Sequence, residues 1–223
     1  MKFEPAGCAA GLPPAAGADA MKISRIETWP VEMKLSEPYT IAYETVEMTT
    51  NVFLRVETTQ GITGYGCAAP DEKITGETPE SVRKALSDVA DELKGTDPLR
   101  IAKVVERLKD VLPDQPSAVA VVDMALHDIL GKVGRLPLWK ILGGYRSCFK
   151  TSMTIGILPP AETVAKAREW TEKGFTALKI KGGHDVETDI ERIRKVREAV
   201  GPSIELRFDA NQGYTVEQSL RFV

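Results

Sequence analysis

The second half of the chain carries a β/α repeat, which restricts the possible folds more than any other feature of the sequence. Segments that predict strands begin near residues 151, 177 and 204, about 26 residues apart, and each is followed by a stretch with helical periodicity. Consecutive strands joined by helices must run parallel, with the helices as crossover connections. The repeat therefore predicts a parallel sheet whose two faces are both covered.

The helix after the second of these strands is predicted to begin at Asp185, whose side chain suits the N-cap position. Apolar residues recur along this helix with a spacing of three or four and predict the buried side. They are Val186, Ile190, Ile193, Val196 and Val200.

Polar side chains gather toward the carboxyl ends of two consecutive strands. Lys179 and Lys181 alternate with apolar residues in "TALKIKGG" (176–183), and Asp209 and Asn211 do so in "SIELRFDANQG" (203–213). Both faces of a parallel sheet are buried, so a solvated face does not explain these residues well. Barrel active sites lie at the carboxyl ends of the strands. We therefore expect the four side chains to converge in one pocket.

The chemistry of such a pocket is that of a base beside a metal ion. A desolvated ammonium group tends to lose its proton, and a second ammonium nearby lowers the pKa of a lysine further. An inward-facing aspartate suits a hard cation such as Mg²⁺, which takes oxygen ligands. Together these groups could remove a proton α to a carboxylate, with the metal stabilising the enediolate.

The first half of the chain has a different rhythm. Val52, Leu54 and Val56 alternate toward one face, and a turn at residues 59–61 predicts an antiparallel hairpin, with a third strand near residues 22–33. Amphipathic helices are then predicted at residues 79–93, 98–112 and 117–134.

These patterns predict three parts. Residues 1–20, rich in alanine, glycine and proline, read as a disordered N-terminal extension. Residues 21–146 read as an α+β capping domain. Residues 147–223 read as the start of an α/β TIM-type (β/α) barrel, of which only about the first three β/α units are present.

The composition narrows the possible partners. The chain has 223 residues, a net charge of −3 and 43% hydrophobic residues, which is ordinary for a globular protein. Mild acidity gives no sign of a nucleic acid or an anionic membrane as partner, and no apolar run approaches the ~18 residues of a membrane span. Three scattered cysteines favour a reduced, cytoplasmic protein.

Four motifs in order resemble the enolase superfamily from about residue 22 to the end of the chain. They are "ALHDILGK", "LPLWKILGG", "KIK" and "FDANQG". The resemblance is to the muconate-lactonizing-enzyme subgroup of the mandelate racemase/muconate lactonizing enzyme family, and a lysine base with Mg²⁺ is the general description of this superfamily's sites.

The resemblance implies a role for each residue of the predicted pocket. Lys181 would be a general acid/base catalyst, and Lys179 would lower its pKa and contact the substrate carboxylate. Asp209 would be the first of three Mg²⁺ ligands, with Asn211 supporting it. It also implies a homo-oligomer that acts on a small molecule.

Within the subgroup, "TSMTIGI" and "PDEKITGET" resemble dipeptide epimerases of the L-Ala-D/L-Glu type. In those enzymes a loop corresponding to residues 36–45 and the segment around "ITGET" close over the substrate. This resemblance implies that further residues bind substrate. They are Tyr39, Thr75, Thr151 and Thr154. Many relatives carry "KIKVG" where this chain has "KIKGG", so Gly182 is expected to loosen the turn.

Several alternatives remain open. N-acylamino-acid racemase, o-succinylbenzoate synthase and cycloisomerase activities share the same motifs, and fold alone does not separate them. A different class of answer is an inactive fragment that serves as a binding module or subunit. The sequence stops part-way into a helix, so we expect a longer parent in which further metal ligands and a second lysine lie beyond Val223. The 223-residue chain alone is then expected to be inactive.

Overall fold

The computed structural model describes residues 20–223, so the predicted N-terminal extension lies almost wholly outside the described residues. The elements in chain order are β1 Ile23–Ile41, β2 Glu44–Thr58, β3 Thr63–Ala68, α1 Pro79–Leu93, α2 Ile101–Val111, α3 Pro116–Gly134, α4 Leu138–Ile141, β4 Met153–Ile155, α5 Pro160–Glu172, β5 Ala177–Lys181, α6 Val186–Val200, β6 Glu205–Asp209 and α7 Val216–Phe222.

The chain forms two compact units. One comprises the chain through Trp29 together with Phe53–Leu138, and the other comprises Pro30–Val52 together with Trp139–Val223. The predicted domain limits at residues 20/21 and 146/147 stay predictions. Among the helices of the described residues, none combines the length and apolar character needed to cross a membrane.

The antiparallel hairpin predicted for the first half is confirmed. Strands β1, β2 and β3 form one sheet in that order. Val52, Leu54 and Val56 are 0%, 0% and 1% exposed, as their alternation predicts. The turn between β2 and β3 closes where the Gly61 N–H donates to the Thr58 carbonyl at 3.0 Å.

Two glycines of β3 allow α3 to pack unusually close to the sheet. A β-carbon on Gly66 would clash with the carbonyl of Val121, and one on Gly64 would clash with the carbonyl of Ala125. Both glycines lie on the buried face of the strand, where the absence of a side chain brings helix backbone against strand backbone.

We expect Gly66→Ala to lower the free energy of unfolding by about 1–3 kcal/mol, because an added methyl group overpacks this contact. Urea denaturation followed by circular dichroism measures the change. Tyr65→Phe, on the exposed side of the same strand, is the control and should change stability by less than about 0.5 kcal/mol. Equal stability of Gly66→Ala and the parent would contradict the close approach.

The predicted β/α repeat is confirmed in the second unit. Strands β4, β5 and β6 pair in parallel in that order, with Ile155, Ile180 and Phe208 in register. The face that these three residues share packs against Ala167 of α5 and Val196 of α6, and Ile180 is fully buried. The opposite face therefore carries the alternate residues, which include both lysines.

The third barrel strand is shorter than predicted. It ends at Asp209, and the chain then turns so that Asn211 and Gln212 both adopt positive φ, of 47° and 61°. The Gly213 N–H donates to the Ala210 carbonyl at 2.8 Å, which makes residues 210–213 a type I′ turn. Asn211 therefore belongs to this turn and not to the strand face assigned to it from the sequence.

The predicted loop at residues 36–45 is a β-hairpin. Strand β1 continues to Ile41, β2 begins at Glu44, and only Ala42 and Tyr43 form the turn. Inside the hairpin the Thr40 and Thr45 hydroxyls are hydrogen-bonded at 2.9 Å. Threonine, tyrosine and isoleucine favour strands, which accounts for the continuation of β1 and β2 through this segment.

Candidate active site

The inner face of the second sheet brings two lysines onto one carboxylate. In the parallel register Lys181 lies opposite Asp209, so the two side chains leave the sheet on the same side. The Nζ atoms of Lys179 and Lys181 lie 2.8 Å and 2.9 Å from the same oxygen, Oδ2 of Asp209. The sequence-based prediction that these three residues converge is thereby realised in the structure.

The electrostatics of the cluster act most strongly on the aspartate. The Lys179 ammonium, with a smaller contribution from Lys181, holds the pKa of the Asp209 carboxyl well below its usual range, against the opposing effect of burial. The Asn211 N–H adds a hydrogen bond of 2.9 Å to Oδ1. Asp209 is therefore an anion flanked by two cations, and the cluster of three carries a net positive charge.

The loops after β5 and β6 are interlocked, which fixes the strand ends that carry the cluster. The Gly182 N–H donates to the Asp209 carbonyl at 3.0 Å. A β-carbon on Gly213 would clash with the Gly183 carbonyl, and one on Gly183 would clash with the Ala210 carbonyl. Only glycines permit this approach, and Gly183 also has a φ of +112°.

Gly182 does not loosen the turn as expected. A β-carbon there would lie within 2.5 Å of Oδ2 of Asp189 and would also overlap the ring of Phe208. The space that a side chain at position 182 would need is therefore already filled, and the turn is tightly packed.

A cavity of about 610 Å³ opens beside the lysines. Lys179, Lys181 and Thr154 line it from the sheet, and hairpin residues 36–40, which include Tyr39, line it from the side. Lys181 is the less exposed of the two lysines, with 12% of its side chain exposed against 35% for Lys179. The volume is in the range of small-molecule sites.

The hairpin is attached to the carboxyl ends of the first two barrel strands. The Ile157 N–H donates to the Thr40 carbonyl at 2.8 Å, and His184 Nε2 lies 2.8 Å from the Ala42 carbonyl oxygen. Glu37 forms an ion pair of 2.9 Å with Lys166 of α5. These contacts make the hairpin a wall of the cavity.

Asp209 contacts both lysines but is not itself among the described residues that line the cavity, and three further predicted residues are not placed there. Thr151 is exposed, precedes β4 and has the opposite strand parity to Thr154, and it is absent from the described residues that line the cavity. Thr75 belongs to the other unit, where its hydroxyl donates to the Asp71 carbonyl. Asn211 contacts Asp209 through its backbone, and its buried Oδ1 has no hydrogen-bond partner within the described part of the chain. Their assignment to the site stays a prediction.

Sequence reasoning missed a buried ionic network directly behind the lysines. Asp189 and Arg192 of α6 are 3% and 1% exposed, and Tyr214 donates to Asp189. Burial and that hydrogen bond raise the pKa of the Tyr214 hydroxyl above its usual value. A signal was present, since Asp189 and Arg192 have opposite charge and lie within the apolar stripe that contains Ile193 and Val196.

The described residues do not by themselves fit a Mg²⁺ site. They contain no group of three or more His, Cys, Asp or Glu side chains that could hold a metal ion. Asp209 offers one carboxylate, whereas Mg²⁺ requires nearly octahedral oxygen coordination. We therefore derive no chemical step through the metal from this chain.

Residues 24–143 match the N-terminal domain of mandelate racemase / muconate lactonizing enzyme, and residues 162–223 match the enolase C-terminal domain-like family. The chain belongs to the mandelate racemase/muconate lactonizing enzyme family. Its α+β capping domain and its parallel β/α region are those of this family, with only the front part of the barrel present.

Characterised relatives share these features. The chain is 45% identical over 203 residues to L-Lys-D/L-Arg epimerase of Desulforapulum autotrophicum, covering 91% of this chain and 57% of the relative. It is similar, at 36% identity and a TM-score of 0.87, to the dipeptide epimerase of Enterococcus faecalis solved with Mg and L-Leu-L-Tyr, covering 90% of this chain and 57% of that one.

The substrate-liganded L-Ala-D/L-Glu epimerase of Bacillus subtilis is 35% identical, with a TM-score of 0.87, and the match covers 91% of this chain and 57% of that one. The chain thus spans a little over half the length of the relatives it matches.

We expect the Asp209 carboxyl to titrate below the ordinary aspartate pKa of about 3.9 because of its two ammonium neighbours. A depressed folded-state pKa means that the unfolded chain binds more protons at low pH. The stabilisation is therefore present above the unfolded pKa and is lost as pH falls through the folded one. Carbon-13 NMR of the side-chain carboxyl measures the midpoint.

Lys179→Met should raise this midpoint toward the ordinary value, since Lys179 contributes most to the shift. Lys195→Met, an exposed lysine of α6, is the matched control and should leave it unchanged. A midpoint at or above the ordinary value in the parent would contradict the assigned cluster.

Proposed function

We propose that the complete protein is a Mg²⁺-dependent dipeptide epimerase that removes the α-proton next to a carboxylate through an enediolate intermediate. The observation that carries this proposal is the placement of Lys181, which lines a cavity with 12% of its side chain exposed and lies beside Lys179 and Asp209. The relatives named above are epimerases, which supports the reaction class.

In this proposal each residue has a distinct task. Lys181 accepts the α-proton and returns it. Lys179 places a positive charge where the substrate carboxylate gains electron density, and it tunes its neighbour. Thr154 and Tyr39 contact the substrate from the cavity wall. Asp209 would supply one ligand to Mg²⁺ and Asn211 would support it, while the remaining ligands would have to come from outside these 223 residues.

The substrate expected from the sequence motifs is a dipeptide of the L-Ala-D/L-Glu type. A dipeptide with cationic side chains is a second candidate. It is favoured by the 45% identity to an L-Lys-D/L-Arg epimerase and by the Glu37 carboxylate in the cavity wall, which could exchange its Lys166 partner for a substrate cation. Homo-oligomerisation and a cytoplasmic location stay proposals.

The test uses the product of the complete coding sequence. The protein is incubated in D₂O with Mg²⁺ and either L-Ala-L-Glu or L-Lys-L-Arg, and deuterium at the α-carbon of the second residue is followed by proton NMR. Exchange on one dipeptide identifies the side-chain class. Absence of exchange on both, and on an N-succinyl amino acid, would overturn the epimerase and racemase proposals together.

Lys181→Met should slow α-deuterium incorporation by about 10²–10⁴-fold, the usual contribution of general acid–base catalysis. Lys195→Met serves as the control, since that lysine is exposed on α6 and paired with Glu191. A Lys181→Met variant that exchanges the α-proton at the parent rate would remove Lys181 from the chemistry.

The 223-residue chain on its own is expected to be inactive, because its described residues supply one metal-binding carboxylate at most to the site. The same D₂O assay on the purified chain checks this. Detectable epimerisation by the chain would contradict it and would require a different catalytic arrangement.

A further inference from the structure

An ion pair lies buried behind the strand that carries the lysines. Nη1 of Arg192 is 2.8 Å from Oδ1 of Asp189, and the two side chains are 1% and 3% exposed. Neither residue is among those that line the cavity, so neither is placed to touch a substrate there. Two charges removed from water in this way need many polar partners.

Arg192 finds its partners at the carboxyl ends of the strands. It donates to the Lys181 carbonyl at 2.8 Å, to the Gly156 carbonyl at 3.0 Å and to the Thr163 hydroxyl at 3.0 Å. The guanidinium therefore ties the end of β5 to the residue after β4 and to α5. One of its bonds ends on the backbone of Lys181 itself.

Asp189 holds the other side of the same peptide segment. Its Oδ2 accepts the Gly183 N–H at 2.8 Å and the Tyr214 hydroxyl at 2.6 Å. The segment from Lys181 to Gly183 is thus hydrogen-bonded at both ends, with Arg192 bound to its first carbonyl and Asp189 to its last N–H. Tyr214 adds a link to the loop that follows β6 and Asp209.

We propose that Arg192, Asp189 and Tyr214 form a positioning network that sets the orientation of Lys181 in the site. This inference rests on the proposed function for its catalytic consequence. Arg192 is a positioning residue that acts through the backbone of Lys181. The planar guanidinium of Arg192, with its several N–H donors, is required to bind these acceptors together. A lysine at position 192 would offer only a point charge, which cannot span three acceptors in different elements.

A positioning role predicts a specific kinetic pattern. The lysine must reach the α-proton within narrow limits, and a displacement of about 1 Å can cost about 100-fold in rate. The proposed substrate contacts of Tyr39 and Thr154 are made by side chains with which Arg192, Asp189 and Tyr214 form no hydrogen bond among the described residues. Loosening it should therefore lower kcat while KM changes little.

The experiment compares Arg192→Lys and Tyr214→Phe with Arg197→Lys as the matched control. Arg197 lies on the same helix and donates to the Gly201 and Ile204 carbonyls, away from Lys181. Tyr214→Phe removes one hydroxyl and keeps the ring, so it is suited to test the network even if Arg192→Lys does not fold. Thermal unfolding identifies variants that are merely unfolded.

Two readouts are taken on the complete protein. The first is kcat and KM for the dipeptide that exchanges. The second, which needs no activity, is the rate at which N-acetoxysuccinimide acetylates Lys181 relative to Lys195, read by peptide mass spectrometry. Lys181 is shielded in the parent, so a loosened segment should be acetylated severalfold faster.

The network is supported if kcat is at least about tenfold lower in both Tyr214→Phe and Arg192→Lys while KM stays within about twofold of the parent value. Lys181 should also be acetylated faster in both variants. Arg197→Lys should give the parent values in both assays. Unchanged acetylation and unchanged kcat in both variants would overturn it. If the parent exchanges no substrate, the proposed function fails, and the acetylation rates alone decide whether the network holds Lys181.

Discussion

The second unit depends on one buried ion pair, that of Arg192 with Asp189. Removing one partner of such a pair typically destabilises a protein by about 3–5 kcal/mol, a large part of the 5–15 kcal/mol by which domains are stable. The pair is tolerated because its donors and acceptors are satisfied by backbone and side-chain groups from β4, α5, β5 and the loop after β6. An apolar replacement could fill the volume, but it could not hold the peptide groups around Lys181. The pair therefore determines backbone geometry more than it adds stability.

The lysine cluster in front of this pair differs from it in charge balance. Two ammonium groups share one carboxylate oxygen, so the cluster retains a positive charge that is open to the cavity. A site of this kind attracts an anionic group, and a carboxylate would satisfy it. In the proposed function the Asp209 carboxylate would also be a metal ligand. Substrate and metal binding would therefore both redistribute the contacts of Lys181, which couples its position to occupancy of the site.

The sequence predicted the features that follow from the helical periodicity of apolar residues and from the alternation of apolar and polar residues in strands. The three β/α units, the N-cap at Asp185 and the shared face of Lys179, Lys181 and Asp209 are all present. Apolar periodicity alone does not reveal the ionic network; the signal that the sequence carried was a pair of opposite charges, Asp189 and Arg192, within the apolar stripe of α6. The prediction from the sequence also overextended β6, since Asn211 and Gln212 both adopt positive φ without a glycine to signal the turn. The loop expected at residues 36–45 rests only on the resemblance to dipeptide epimerases, and the structure shows this segment as the hairpin of β1 and β2.

Gly182 shows how the two parts of the site are linked. A side chain at position 182 would overlap Phe208 and approach Oδ2 of Asp189. The Phe208 ring stacks on Phe222 with centroids 4.1 Å apart, so it is held in the space that a branched side chain would use. The small Gly182 and the large Phe208 of the neighbouring strand together keep the local volume filled. This arrangement also leaves the Asp189 carboxylate free to reach the Gly183 N–H. The glycine after "KIK" is therefore a packing partner of Phe208, and it preserves the backbone contacts that orient the lysine.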